Sequence, residues 1–302
     1  MNGIIRVGTR ESALAMAQSR LIINLLGSKF PELKFELVGM KTRGDILLDT
    51  RLDVIGGKGL FVNEIENALI EDKIDIAIHS MKDMPAVMPE QLTIAAVSER
   101  EDPRDVLVTL NGKSLKELKT GAIVGTSSIR REIQLLALRP DLTIKQLRGN
   151  VLTRLDKLAA AEFDAIVLAA AGLKRLGLHE KCVCCFSVEE MIPAIGQGVL
   201  GIQTKKGGKM QQLVNAINSP DGWLALEAER SYMVCLNGGC STPIAAHAVI
   251  HGNEMKITGM LVVNYGKVIL KAAVEGDKHK ARSLGEELAA VILEKERKLG
   301  EC

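Results

Sequence analysis

Ala122-Ile123-Val124-Gly125-Thr126-Ser127-Ser128-Ile129-Arg130-Arg131 passes from strand to helix within a few residues. Ala122–Gly125 is a short apolar run suited to a covered sheet, and Ile129–Leu138 carries apolar residues at helical spacing. Between them stand a glycine and three hydroxyl side chains. A strand that hands over directly to a helix is the repeating unit of layered α/β proteins.

Outward from this stretch the alternation continues. On the N-terminal side Ile4–Gly8, Phe35–Met40, Asp75–His79 and Leu92–Val97 read as strands, with helices over Ser12–Leu26 and Leu60–Ile70. It restarts after Asp105 with strands at Val106–Leu110, Thr143–Leu147 and Ala165–Ala169 and a helix at Val151–Ala161. This order predicts α/β layers with largely parallel sheets. The polar run Glu99–Asp105 separates the two sets and reads as a hinge. A second crossing falls at Pro193–Gly201, where Pro193, Gly196, Gly198 and Gly201 interrupt the pattern.

The C-terminal part changes character. Asp221–Leu236 reads as a helix stopped at Asn237-Gly238-Gly239. Strand-like Ala245–His251, Met255–Val263 and Val268–Val274 follow, then a periodic helix at Ser283–Lys295. The fold class is therefore α/β: two similar α/β domains plus a small α+β domain with a three-stranded antiparallel sheet.

The 302 residues allow two or three domains, and 47% are hydrophobic, enough for more than one core. No run of about 18 apolar residues suggests a membrane span. Met1–Thr9 runs straight into a strand without the features of a signal peptide, so a cytoplasmic location is expected. Net charge is +2, from 39 basic and 37 acidic residues, and only 3% of residues are aromatic. Neither a basic field nor a stacking surface for nucleic acid is evident. Six cysteines in a chain of this length read as reduced thiols, not a disulfide framework.

Polar clusters fall where strands end, the usual place for ligands in α/β folds. In Gly8–Ser12, Arg10 can grip an anion beside a helix start, while Thr9 or Ser12 can simply cap it. Gly56-Gly57-Lys58-Gly59-Leu60-Phe61 lacks the spacing of a nucleotide-binding loop but can present Lys58 and Phe61 to a ligand. In His79-Ser80-Met81-Lys82-Asp83, Asp83 can stabilise a cation and move protons while Lys82 binds a carboxylate; the bland alternative is a solvated ion pair. Thr126, Ser127, Arg130 and Arg131 form a further cluster, followed by Leu147-Arg148-Gly149-Asn150 and Arg154. One arginine pair is commonly a solvated helix face, but repeated strand-end arginines weaken that reading. Cys240, in Asn237–Pro243, lies in a glycine- and proline-rich loop where a thiolate nucleophile is possible, although cysteines are more often buried and inert. His179, Cys182, Cys184 and Cys185 lack paired metal-ligand spacing, and no metal is expected.

Together these stretches resemble hydroxymethylbilane synthase, the porphobilinogen deaminase family. The likeness also runs through Arg100–Asp105, Ala170–Leu176, Pro193–Gly198 and Gly238-Gly239-Cys240, in the family's order over nearly the whole chain. It implies two domains of type II periplasmic-binding-protein-like topology, 1–99 plus about 197–219 and 100–196. A C-terminal domain, 220–302, would carry the cofactor cysteine. The cofactor is dipyrromethane, joined by a thioether to Cys240. The implied reaction condenses four porphobilinogen molecules head to tail with loss of ammonia and releases hydroxymethylbilane by hydrolysis, in porphyrin biosynthesis. By the family pattern Asp83 is catalytic and stabilises the azafulvene cation left by ammonia. Ser80, Lys82, Thr126, Ser127, Arg130, Arg131, Arg148, Gly149 and Arg154 bind cofactor. Arg10, Ser12, Lys58, Phe61, Arg175 and Gln197 bind substrate. A monomer is expected, with transient hand-over of product to uroporphyrinogen III synthase and no nucleic-acid or membrane partner. Val54 stands where some members have lysine. A non-catalytic anion-binding protein is the chief rival reading, yet it needs neither Cys240 nor Lys82-Asp83.

Overall fold

The computed structural model describes residues 4–46, 59, 62–238, 243–264, 266 and 268–300. It forms two compact units, Met1–Glu101 with Val199–Trp223, and Asp102–Gly198 with Leu224–Cys302. The chain opens with β1 (Ile4–Arg10), α1 (Ala13–Lys29), β2 (Lys34–Met40), α2 (Arg43–Ile46) and α3 (Asn63–Ile70). Next come β3 (Ile76–Ser80), a 3₁₀ turn at Met81–Asp83, β4 (Leu92–Val97) and β5 (Asp105–Val108). Then follow β6 (Ile123–Gly125), α4 (Ile129–Leu138), β7 (Thr143–Lys145), α5 (Val151–Ala159), β8 (Ala165–Ala169), α6 (Ala170–Arg175) and β9 (Cys184–Cys185). The chain continues through β10 (Leu200–Lys205), α7 (Lys209–Asn215) and α8 (Pro220–Cys235), and ends with β11 (Ile244–His251), β12 (Glu254–Val263), β13 (Val268–Asp277) and α9 (Ala281–Gly300).

In the first unit the sheet order is β2-β1-β3-β10-β4. β1 runs parallel to β2 and β3, whereas β10 is antiparallel to β3 and β4. Alternate residues of β3 face opposite layers. Ile76 and Ile78 meet Ile22 and Leu26 of α1, while Ala77 meets Ile65, Ala68 and Leu69 of α3. Burial on both faces explains why Ile76-Ala77-Ile78 is continuously apolar. Each fully buried Ile or Leu contributes about 1.5–3 kcal/mol. Ser12 caps α1 by accepting a hydrogen bond from the Ala15 amide at 3.3 Å, replacing a partner that the first helical turn lacks.

In the second unit the order is β7-β6-β8-β5-β9. β6 is parallel to β7 and β8, and β5 is antiparallel to β8 and β9. Again the faces separate: Leu107, Val124 and Val167 join one core, Val106, Ile166 and Leu168 the other. Both five-stranded sheets therefore run second, first, third, reversed strand, edge strand, which makes the two α/β halves alike. The largely parallel sheets expected from sequence each hold one reversed strand. The crossing expected at Pro193–Gly201 runs at its end into a strand, since β10 begins at Leu200 and includes Gly201. A Cβ at Gly201 would sit 2.2 Å from the Met81 sulfur, so this strand carries glycine where Met81 crosses it.

The same unit holds the antiparallel sheet β11-β12-β13 expected from the C-terminal pattern. Tyr232 of α8 and Leu288 of α9 pack over Gly259, where a Cβ would approach them to 3.2 and 2.8 Å. On the opposite face Ala245, Met260 and Val262 meet Ile133 and Ile192. Asn237, in the left-handed region at φ 48°, ends α8 as the Asn-Gly signal predicts.

Candidate active site

The first unit brings Arg10 and Ser12 to the end of β1, and Ser80, Lys82 and Asp83 to the end of β3. Ser12 is engaged as the α1 cap. Arg10 makes a two-pronged pair with Asp45, one prong from Nε to Oδ2 at 3.2 Å and the other from Nη2 to Oδ1. Asp45 also accepts from the Thr42 hydroxyl at 2.7 Å. Burial opposes ionisation of Asp45, but Arg10 and Thr42 outweigh it and hold its carboxyl below the ordinary range. Arg10, expected to grip a ligand anion beside the helix start, is here paired with a carboxylate of the protein itself. Nothing in the local pattern singled out Asp45.

The Met81–Asp83 turn is pinned from behind. The Met81 side chain is buried, and its amide donates to the Val199 carbonyl at 3.0 Å. This leaves Ser80, Lys82 and Asp83 half-buried at the strand end. Beneath them the sheet carries a polar chain. His79 Nε2 meets Gln203 Oε1 at 3.0 Å, and Gln203 Nε2 donates to Glu66 Oε1 at 2.8 Å. Burial lowers the His79 pKa to about 4, with Arg10 adding to the effect against the Gln203 bond. Burial also raises that of Glu66.

In the second unit Thr126, Ser127, Arg130 and Arg131 gather at the end of β6. The Ser127 hydroxyl donates to the Leu147 carbonyl at 2.6 Å, tying the β6 end to the segment that carries Arg148. Ser128 caps α4 by accepting from the Arg131 amide at 3.4 Å. Thr126 is buried, and its hydroxyl oxygen accepts from the Ser128 amide at 3.2 Å. Arg130 and Arg131 enclose Asp105. Arg131 donates to Asp105 Oδ1 through Nε at 3.0 Å and Nη2 at 2.7 Å, and through Nη1 to the Val167 carbonyl at 2.9 Å. Arg130 Nη1 lies 2.8 Å from Asp105 Oδ2 and donates to the Ile192 carbonyl at 2.8 Å. Asp105 is fully buried; burial opposes its charge, yet the two guanidiniums hold its carboxyl well below the carboxylate range.

Gln197 is also buried here, with its amide nitrogen on Asp105 Oδ1 at 3.1 Å and on the Pro103 carbonyl at 2.7 Å. Arg175 Nη2 donates to the Gly198 carbonyl at 2.6 Å. Arg154 Nε donates to the Gly149 carbonyl at 2.8 Å, while Asn150 caps α5 through the Thr153 amide at 3.0 Å. Gly149 adopts φ 109°, and a Cβ there would lie 2.8 Å from Thr153 Cγ2, so the Arg148–Arg154 turn requires glycine.

Asp105 is the main residue that sequence reasoning misplaced, as the last residue of a hinge. Its signal was present: an acid opening the apolar run Val106-Leu107-Val108 enters a covered strand and needs a cationic partner. Lys58, Phe61 and Cys240 lie outside the described residues. Cys182 and Cys185 pack toward one core and Cys184 toward the other. Among the described residues no three His, Cys, Asp or Glu side chains gather to hold a metal ion, and no helix is long and apolar enough to cross a membrane.

Comparison with known proteins matches residues 5–212 to the family "Porphobilinogen deaminase, dipyromethane cofactor binding domain" and residues 223–294 to "Porphobilinogen deaminase, C-terminal domain". A porphobilinogen deaminase of Alkaliphilus metalliredigens is 47% identical over 292 residues, covering 96% of this chain and 92% of its own. That of Bacillus subtilis is 45% identical over 294 residues, covering 96% and 93%. Among solved structures, the methionine-binding protein MetQ aligns at 15% identity and a TM-score of 0.46, over 75% of this chain and 94% of its own.

Proposed function

The chain belongs to the porphobilinogen deaminase family, and from that premise we propose how its own residues divide the work. The family's enzymes are transferases of tetrapyrrole biosynthesis. They join four porphobilinogen molecules on a dipyrromethane primer, lose one ammonia at each addition and release hydroxymethylbilane by hydrolysis.

The donor set fits that cofactor, a polycarboxylate. At β6 two guanidiniums face one carboxylate, Asp105. Arg148 and Arg154 follow at the next turn. The gathering of four arginines, Arg130, Arg131, Arg148 and Arg154, at adjoining strand ends is the observation that carries the residue assignment. Planar guanidiniums bind carboxylates through two parallel hydrogen bonds. Arg130, Arg131, Arg148, Gly149 and Arg154, with Thr126, Ser127, Ser80 and Lys82, hold the cofactor. Arg10, Ser12, Lys58, Phe61, Arg175 and Gln197 serve the substrate, with Gln197 acting from the buried side through Asp105. Cys240 sulfur is the attachment point. Bound there, the cofactor supplies the free pyrrole carbon at which the chain starts.

Asp83 carries the chemistry. As the carbon–nitrogen bond of porphobilinogen breaks, the carboxylate stabilises the cation that develops on the substrate carbon. The amine of the aminomethyl group, protonated beforehand, departs as ammonia, and a carbon–carbon bond forms in place of the broken carbon–nitrogen bond. Asp83 then takes the proton displaced from the attacking pyrrole carbon, restoring aromaticity. The three-domain division, 1–99 with about 197–219, 100–196 and 220–302, belongs to this proposal, supported by the three separate sheets. A monomeric state, a cytoplasmic location and hand-over of product to uroporphyrinogen III synthase extend the same family reading.

Intact mass of the denatured protein tests the assignment. The expected excess equals two linked pyrroles and maps to the Cys240 peptide. If the mass is unmodified, the protein is incubated with porphobilinogen and weighed again; a second unmodified result overturns it. Asp83→Asn is expected to keep the added mass and lose turnover by roughly 10²–10⁴-fold, the range of general acid–base catalysis.

A further inference from the structure

Gln203 is fully buried in β10, and each end of its amide is engaged. Its Oε1 lies 3.0 Å from His79 Nε2, and its Nε2 donates to Glu66 Oε1 at 2.8 Å. The same nitrogen contacts the Met88 sulfur at 3.7 Å. His79 precedes the Met81–Asp83 turn and Met88 follows it, so one side chain touches the segment on both sides of Asp83. Strand register explains the reach. Gln203 pairs with Ala77 and Gly201 with His79, which makes Gln203 and His79 diagonal neighbours on the α3 face. Glu66 descends from α3 onto that same face. His79 and Glu66 are 5% and 4% exposed, so loss of the bridging amide would leave two buried polar groups without this partner.

We propose that Gln203 is a positioning residue for the reaction, a buried brace that sets the Asp83 turn by holding His79 in its neutral Nε2–H form while anchoring to Glu66 and Met88. The tautomer follows from the donors: with the Gln203 N–H group directed at the Glu66 carboxylate, its oxygen faces His79 and accepts that ring's N–H. Burial keeps His79 neutral near pH 7. The brace acts through the turn, not on substrate. The inference rests on the assignment of the chemistry to Asp83.

The test uses the cofactor-bearing enzyme. Gln203→Met keeps an unbranched chain of similar length and removes both hydrogen bonds. Its kcat per cofactor-bearing molecule is expected to fall roughly ten- to a hundred-fold, the scale of a slightly misplaced catalytic group. KM for porphobilinogen should stay within about twofold and the mass on Cys240 should be retained, since Gln203 itself touches neither substrate nor cofactor and the cofactor is held by a covalent thioether and by the second unit's arginines as well as by this turn. Lower melting temperature with unchanged kcat would make Gln203 merely structural and overturn the proposal. Asp83→Asn, measured alongside, separates the two ideas. Full turnover in Asp83→Asn removes the reading of Asp83 itself; a dead Asp83→Asn beside a normal Gln203→Met removes the brace alone. Should Gln203→Met not fold, Gln203→Glu keeps the acceptor for His79 and sets two carboxylates against each other, with the same kinetic expectation. Wild-type protein gives an independent check by ¹⁵N NMR of His79, identified with His79→Gln among five histidines. An Nε2–H neutral ring at pH 7 is expected, and an imidazolium or an Nδ1–H ring overturns the proposal.

Discussion

Replacing Asp105 by asparagine tests the buried arginine cluster most directly. In the folded protein Asp105 Oδ1 accepts from Arg131 Nε and Nη2 at 3.0 and 2.7 Å and from Gln197 at 3.1 Å. Oδ2 stands 2.8 Å from Arg130 Nη1. Asparagine keeps the shape but removes the only carboxylate in these contacts and turns an NH₂ group toward one of the guanidiniums. Arg130 and Arg131 are 7% and 6% exposed, so water cannot replace the lost charge. Removing one partner of a buried ion pair costs about 3–5 kcal/mol. At 2–4 °C per kcal/mol for domains of this size, the melting temperature should fall by roughly 6–20 °C. Urea unfolding and calorimetry at pH 7 measure both quantities. The Asp105 carboxyl is held far below its unfolded value, so its contribution is complete above about pH 4 and is lost only in stronger acid. The gap between variant and wild type should therefore be constant from pH 5 to 8. Adding Arg131→Leu removes one stranded cation and should recover part of the loss. A destabilisation below about 1 kcal/mol, or a gap that closes by pH 6, would refute the reasoning.

Gly149→Ala places a side chain at φ 109° and 2.8 Å from Thr153 Cγ2, and should cost about 1–3 kcal/mol in urea unfolding. Gly177→Ala is the control, because its φ of 74° meets no atom within 4 Å; equal losses at the two sites would count against the packing argument. His79 has a folded pKa of about 4 against an ordinary 6.5. The unfolded chain takes up that proton first, so the His79 contribution is complete above pH 6.5 and declines toward pH 4 by up to about 3 kcal/mol. His79→Gln should flatten that limb of the stability curve, and an unchanged slope would show that other groups produce it.

The two α/β halves were legible because covered strands such as Ile76-Ala77-Ile78 and Val106-Leu107-Val108 are apolar on both faces, and Asp83, Thr126–Arg131 and Arg148–Arg154 follow recognisable strand ends. The C-terminal sheet was equally plain from three β-rich stretches between two periodic helices. Less visible was β10, whose Gly201 and Gln203 answer Met81 and His79 across a strand boundary some 120 residues away in the chain. No local periodicity records such a partner.

Local sequence determined which side chains stand at strand ends, since strand and helix periods depend on near neighbours. The family resemblance named their chemistry. Only tertiary structure decided how they are paired. Arg10 rests on Asp45, Arg131 on a buried Asp105 that the sequence presented as hinge, and Gln203 bridges His79 to Glu66. The reason is physical: burying a charge or an amide demands a partner, but strands distant in the chain supply it, and sheet order alone brings them together.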